Sequence, residues 1–163
     1  MKTKDPKRVK QGKRNRINGG IFERLVRKDL IEKYRIVSKW QNNVRFDIDD
    51  KGKCYYKGGK CIPAKMGKFR TNQSGFPDFI CYRNISLDKI GMTLNLTLDS
   101  GKETQFDPVV VIFCEVKTNG RLNPEEKAKA KWYLDNNFCS KFLVASKYKE
   151  KGRVKIKYEE FEK

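Results

Sequence analysis

Asp78, Glu115 and Lys117 are the residues of this chain whose types and spacing could do chemistry together. Asp78 closes Gly75-Phe76-Pro77-Asp78, directly ahead of the apolar run Phe79-Ile80-Cys81-Tyr82. Glu115-Val116-Lys117 closes a second apolar run, Val109–Phe113. In an extended strand alternate side chains share a face, so Glu115 and Lys117 project together and Val116 the other way. An acid and a lysine ending an apolar strand lie at the rim of a sheet, where burial is costly unless they are paired or bound to a cation. Two carboxylates there would be hard oxygen donors for a divalent ion such as Mg²⁺, which neutralises charge developing on a phosphate. Glu23, near the N-terminus, could complete the ligand shell or position a second ion. Singly, each motif is ordinary: an isolated Glu-x-Lys reads first as a strand-end ion pair, and Pro-Asp as a rigid turn. The conjunction, in this order and in a basic chain, is what points to a site.

The elements that must position these residues are legible from periodicity and punctuation. Residues 20–34 place Ile21, Phe22, Leu25, Val26, Leu30, Ile31 and Tyr34 at spacings of three and four, which predicts an amphipathic helix. Asn18 is its expected cap, with Gly19-Gly20 admitting the turn. Arg35–Trp40 predicts a short strand, and Phe79–Tyr82 another. Met92–Leu98 alternates with period two and ends at Asp99-Ser100-Gly101, predicting a hairpin within 84–108. Val109–Lys117 is apolar on both faces as far as Phe113, so it belongs at the centre of a sheet. Asn123-Pro124-Glu125-Glu126 carries a cap, a proline at the first helical position and the acid of a capping box, predicting a helix to about Asn137. Phe142–Ala145 follows as a strand. Strand, helix and strand with short links make a βαβ unit with a parallel pair and a right-handed crossover. Residues 150–163 would add an edge strand. Between residues 47 and 75 glycines recur, and residues 51–70 hold seven Lys/Arg and no acid, which predicts a long basic loop or hairpin.

Charge dominates the composition. The 163 residues include 38 Lys/Arg against 20 Asp/Glu, a formal net charge of +18, and such a field draws in polyanions. Residues 1–16 alone hold eight Lys/Arg and one Asp, a basic arm expected to be flexible in isolation. The expected organisation is therefore an arm over residues 1–17 and a single domain over residues 18–163. Histidine is absent, which removes His-based triads and His metal ligands. The five cysteines are odd in number and follow no apolar leader, arguing against a secreted disulfide framework. Most read as small buried hydrophobes; a zinc site at Cys54 and Cys61 would need further thiolates. No apolar stretch approaches the roughly 20 residues of a membrane span.

Pro77-Asp78 and Glu115-x-Lys117 resemble, in order and context, the signature of the PD-(D/E)xK nucleases. Within that superfamily the chain is most similar to the virus-type replication-repair group, VRR-NUC. That similarity is carried by Met66-Gly67-Lys68-Phe69-Arg70, by Gly75-Phe76-Pro77-Asp78 and by Glu115-Val116-Lys117-Thr118-Asn119-Gly120-Arg121-Leu122. It also resembles the archaeal Holliday-junction resolvases through Gly20-x-x-Glu23. The resemblance covers roughly residues 18–146. It implies an α/β restriction-endonuclease-like core with a mixed central sheet flanked by helices. It also implies Mg²⁺-dependent DNA endonuclease activity, with Mn²⁺ as substitute, leaving a 5′-phosphate and a 3′-hydroxyl. Asp78, Glu115 and the Val116 carbonyl would hold the ion, with Glu23 as a further ligand. Lys117, protonated, would orient the attacking water; the general base stays open. The group usually has a glutamine near the start of the following helix, where this chain has Glu126.

Lys13, Arg14, Arg16, Lys65, Lys68, Arg70 and Arg121 are the expected phosphate contacts, with Lys127, Lys129 and Lys131 as further candidates. Tyr55, Tyr56 and Phe69 could stack on unpaired bases but read first as local core. The expected partner is branched duplex DNA such as a Holliday junction, acted on by a homodimer. No membrane or nucleotide cofactor is expected, and the expected setting is intracellular, in the cytoplasm, with a virus or phage as a candidate source. The competing reading is a basic nucleic-acid-binding module without catalysis, in which the same acids are structural caps and pairs. A membrane-surface role is weaker, because the apolar stripe of the first helix is needed to cover the sheet.

Overall fold

The computed structural model describes residues 6–34, 36–47, 56, 58–64, 75–84, 95–97, 103–105 and 109–162. Most of the basic segment 51–70, with Lys65, Lys68, Arg70, Cys54, Tyr55 and Phe69, lies outside the described residues.

The chain is an α/β protein built on a mixed five-stranded sheet. Its strands are β1 (Ile36–Lys39), β4 (Phe79–Asn84), β7 (Val109–Val116), β8 (Lys141–Glu150) and β9 (Arg153–Glu160), adjacent in that order. Only β7 and β8 run parallel, joined by α2 (Pro124–Asp135); the other neighbours are antiparallel. The expected βαβ unit, the central position of Val109–Lys117 and the C-terminal edge strand are thus all present. Two small antiparallel ladders complete the described elements: β2 (Asn42–Arg45) with β3 (Lys60–Pro63), and β5 (Asn95–Thr97) with β6 (Glu103–Gln105). The second is the hairpin expected within 84–108. In the first, the strand Asn42–Arg45 lies upstream of the predicted loop.

Alternation along the central strands sorts the core into two layers. Ile112 and Cys114 of β7, with Phe79 and Cys81 of β4, face α1 (Pro6–Lys33) and pack on Phe22, Val26 and Leu30. Phe113 and Ile80 face α2 and pack with Ala130, Tyr133, Phe142 and Val144. Each large side chain buried this way contributes about 1.5–3 kcal/mol. Asp29 on α1 accepts hydrogen bonds from the Tyr158 hydroxyl at 2.6 Å and from Lys33 at 2.7 Å, tying the helix to β9. Cys81, Cys114 and Cys139 are buried, and burial pushes the Cys81 thiol up to about 12, which keeps it in the unreactive protonated form.

Three expectations need correction. The first helix does not start at Asn18: α1 is continuous from Pro6, so Asn18, Gly19 and Gly20 lie inside it and most of the basic arm is helical. Nucleation is the costly step of a helix, and the stretch packed on the sheet supplies it; no proline then interrupts propagation towards Pro6, which suits a first helical turn. Second, the buried stripe is narrower than the periodicity implied, since Ile21, Leu25 and Ile31 are exposed. Third, α2 ends at Asp135, because Asn137 adopts a left-handed backbone (φ 56°).

Gly75 marks a close crossing of backbones. Its N–H donates to the Trp40 carbonyl at 2.8 Å, and the Phe76 N–H to the Asn42 carbonyl at 3.0 Å. A Cβ at Gly75 would fall within 2.0 Å of the Asn42 oxygen, a clash no side-chain rotation relieves. Gly75→Ala is therefore expected to lower stability by about 2 kcal/mol or more, read as a shifted denaturant midpoint. An unshifted midpoint would mean that this crossing is not formed.

Candidate metal-binding site

The β4–β7 register pairs Phe79 with Cys114, so one step further towards the rim Asp78 meets Glu115. Each carboxylate is held by the other's strand. Glu115 Oε2 accepts the Asp78 backbone N–H at 3.1 Å, and Asp78 Oδ2 accepts the Val116 N–H at 2.9 Å. The Trp40 N–H donates to the Asp78 carbonyl at 3.2 Å, which anchors the same residue from β1's side. Ahead of it, Pro77 is fully buried and follows a cis peptide bond. Lys117, whose N–H donates to the Ala145 carbonyl across the parallel pair, directs its ammonium to Glu115 Oε1 at 2.9 Å and Glu126 Oε1 at 2.6 Å.

Glu126 does two things at once. Its Oε2 accepts the Asn123 N–H at 2.9 Å, closing the expected capping box, while its other oxygen holds Lys117. The capping-box pattern located Glu126, but its spacing says nothing of a lysine on the neighbouring strand end. Sequence reasoning also passed over Lys39, which pairs with Glu23 at 2.5 Å. Glu23 thus approaches the rim from α1, near enough to raise Asp78's proton affinity, and its carboxylate is engaged by Lys39.

Electrostatically the cluster is unbalanced. Glu23, Asp78, Glu115 and Glu126 face two ammoniums, Lys39 and Lys117. Burial pushes the Glu115 carboxyl up to about 8, reinforced by Asp78 and opposed by Lys117. Burial likewise raises Asp78, against the bond from the Val116 N–H. Burial works against the charge of Lys117, yet its bonds to Glu126 and Glu115 outweigh it and hold the amine above its usual range. Two acids whose ionised forms are penalised, with hard oxygen donors side by side, fit a small divalent cation. Among the described residues no three acidic or thiol side chains form a ready cage, so an ion held by Asp78 and Glu115 would complete its shell largely with water.

The other expected phosphate-binding residues are dispersed. Lys13, Arg14 and Arg16 are exposed on α1. Arg121 is exposed at a groove of about 510 Å³ that Lys127, Glu159, Glu160 and Glu162 also line, so acids outnumber cations there. Lys127 and Lys131 are exposed, whereas Lys129 is buried against Glu125 and over the Phe76 ring, so it is structural. Tyr56 packs edge-on to Phe46 with ring centres 5.4 Å apart but is itself exposed, so it covers Phe46 without joining the core.

Among the described residues no helix is long and apolar enough to cross a membrane. The fold and rim define an α/β protein with a mixed sheet and an acid–lysine cluster at the end of its central strands. No protein-family model, curated protein or solved structure matches the chain.

Proposed function

We propose that the protein is a Mg²⁺-dependent endodeoxyribonuclease of the PD-(D/E)xK type with a restriction-endonuclease-like core. In this reading it hydrolyses phosphodiester bonds in branched duplex DNA as a homodimer, leaving a 5′-phosphate and a 3′-hydroxyl. The observation that carries the reading is the convergence of Asp78 and Glu115 across β4 and β7, with Lys117 against Glu115. The net charge of +18 supports a polyanionic partner, and the resemblance of the two motifs supports the reaction. Mg²⁺, with Mn²⁺ as substitute, contributes charge neutralisation at the scissile phosphate. Asp78 and Glu115 hold it, and Lys117 keeps its proton and orients the attacking water. Glu126 steadies the Lys117 ammonium, the part a neutral glutamine would play less strongly. A two-fold dimer presents two sites to the two strands of a junction.

The test is a cleavage panel of plasmid, single-stranded and four-way-junction DNA with Mg²⁺ or Mn²⁺, for wild type and Lys117→Ala. Wild type is expected to cut the junction, and Lys117→Ala to bind it equally and cut it about 10²-fold or more slowly. One feature favours the competing reading, a binding module without catalysis: Lys117 bridges two carboxylates as a structural ion-pair cluster does. Absence of cleavage by wild type with either ion, on every substrate, would decide for that module.

A further inference from the structure

The first half of α1 carries no part of the core, which on this helix begins at Phe22. From Lys7 to Asn18 its exposed side chains include Lys7, Arg8, Lys10, Lys13, Arg14 and Arg16, and the helix holds no acid before Glu23. At 1.5 Å per residue the stretch 7–20 extends about 20 Å. At about 100° per residue the six cations spread around the whole circumference. Lys13 and Arg16 fall on one side, Lys7, Lys10 and Arg14 on a second, and Arg8 on a third. A helix lying on a flat anionic surface gathers its cations on one face and apolar groups on the other. Here Val9 is the lone apolar residue between Lys7 and Arg16.

A rod that is positive all round matches a channel walled by anions on both sides. The major groove of B-form DNA is about 12 Å wide, admits an α-helix and is flanked by phosphates of both strands. The corresponding groove of duplex RNA is too narrow. We propose that residues 7–20 form a helical arm that seats in the major groove of duplex DNA and binds phosphates on both walls. The proposal rests on the DNA-binding part of the function proposed above and is independent of hydrolysis.

Helicity, as distinct from charge, can be tuned here. Gly12, Gly19 and Gly20 lie within the helix, and a Cβ added at any of them meets nothing within 4 Å. Each glycine weakens a helix by roughly 1 kcal/mol relative to alanine, so the arm is marginally stable. Replacing all three by alanine pre-organises it with the charge unchanged.

The experiment is fluorescence anisotropy of the full chain in EDTA, with labelled duplex DNA, duplex RNA and single-stranded DNA, and circular dichroism as a check on helix content. Gly12→Ala/Gly19→Ala/Gly20→Ala is expected to tighten duplex-DNA binding several-fold. Gly12→Pro, equally charged, is expected to weaken it about fivefold or more. Lys10→Gln/Lys13→Gln/Arg14→Gln should flatten the slope of log affinity against log salt by about 0.9 for each phosphate that is no longer neutralised. If neither glycine variant changes affinity while charge removal does, the arm is a flexible polycation and the proposal falls. Duplex RNA bound as tightly as duplex DNA would equally overturn it. Because binding is read without a divalent ion, a chain that binds as expected but never cuts loses the nuclease reading and keeps the arm. One that cuts junctions with an indifferent arm loses only the arm.

Discussion

Glu115→Gln is expected to yield a protein that is more stable than wild type at pH 8 in the absence of divalent cations, yet inactive on DNA. The two effects have one origin. Glu115 is nearly excluded from solvent, beside Asp78, and its carboxyl is pushed up to about 8 by burial and by that neighbour. In an unfolded chain the same group ionises near its ordinary value of 4.5. Below that value both states hold the proton and nothing depends on it. Between about 4.5 and 8 the unfolded chain has released a proton that the folded chain retains, so stability falls as pH rises through this window. Asp78, also raised, acts in the same direction. The amide keeps an oxygen to accept the Asp78 N–H and removes the buried charge; its NH2 takes the place of the oxygen that faced Lys117, whose ammonium is left with Glu126 alone. Stabilisation on the order of 1–2 kcal/mol at pH 8, vanishing towards pH 4, is the expected result of thermal melts. Mg²⁺ should stabilise wild type at pH 8 and leave the variant unchanged, since an ion that binds only the folded state shifts the equilibrium towards it. Cleavage should fall by at least about 10³-fold, or roughly 4 kcal/mol of barrier. A variant less stable than wild type at pH 8 would show that Glu115 is held as a satisfied ion pair with Lys117, and the case for a cation there would fail.

How far the site could be read in advance follows from what kind of interaction places each residue. Asp78 and Glu115 were legible because apolar runs fix strand ends, and strand ends fix rims. The alternation that buries Phe113 and Cys114 on opposite faces also orients Glu115 and Lys117. Asn123 and Glu126 were legible because a capping box is local, closed within four residues. Lys39 and the second role of Glu126 were not, since both are pairings between elements distant in sequence, and neither leaves a periodic trace. The error over Asn18 has a similar source. Asn-Gly-Gly is a strong local signal for a helix boundary, and it yields to the helix anchored by Phe22, Val26 and Leu30 on the sheet. The exposure of Ile21 and Leu25 could not be read either: the 3.6-residue period shows a broad apolar stripe, while the sheet covers only the part centred on Val26.

The largest loss of stability is expected from Tyr133, whose hydroxyl reaches the loop that carries Asp78. The ring is completely buried, edge-on to Phe113 with centres 4.9 Å apart. Its O–H donates to the Phe76 carbonyl at 2.8 Å and accepts from the Trp40 indole N–H at 3.1 Å. Trp40 also binds the loop by its backbone, through the Gly75 N–H and the Asp78 carbonyl. The loop 75–78 is therefore held at both ends by Trp40 and in the middle by Tyr133. Tyr133→Ala leaves a cavity among aromatic rings and should cost about 3–5 kcal/mol. Tyr133→Phe preserves the packing and strands two buried polar groups, at about 1–3 kcal/mol. Because one of them is the carbonyl two residues before Asp78, the conservative variant should also weaken Mn²⁺ binding by calorimetry and slow cleavage, with duplex-DNA affinity unchanged. Trp40→Phe breaks the same chain of bonds from its other end, so the stability losses of the two variants should combine to less than their sum. Full additivity, or Tyr133→Phe with undiminished Mn²⁺ affinity, would reduce Tyr133 to a packing residue and detach the aromatic core from the rim.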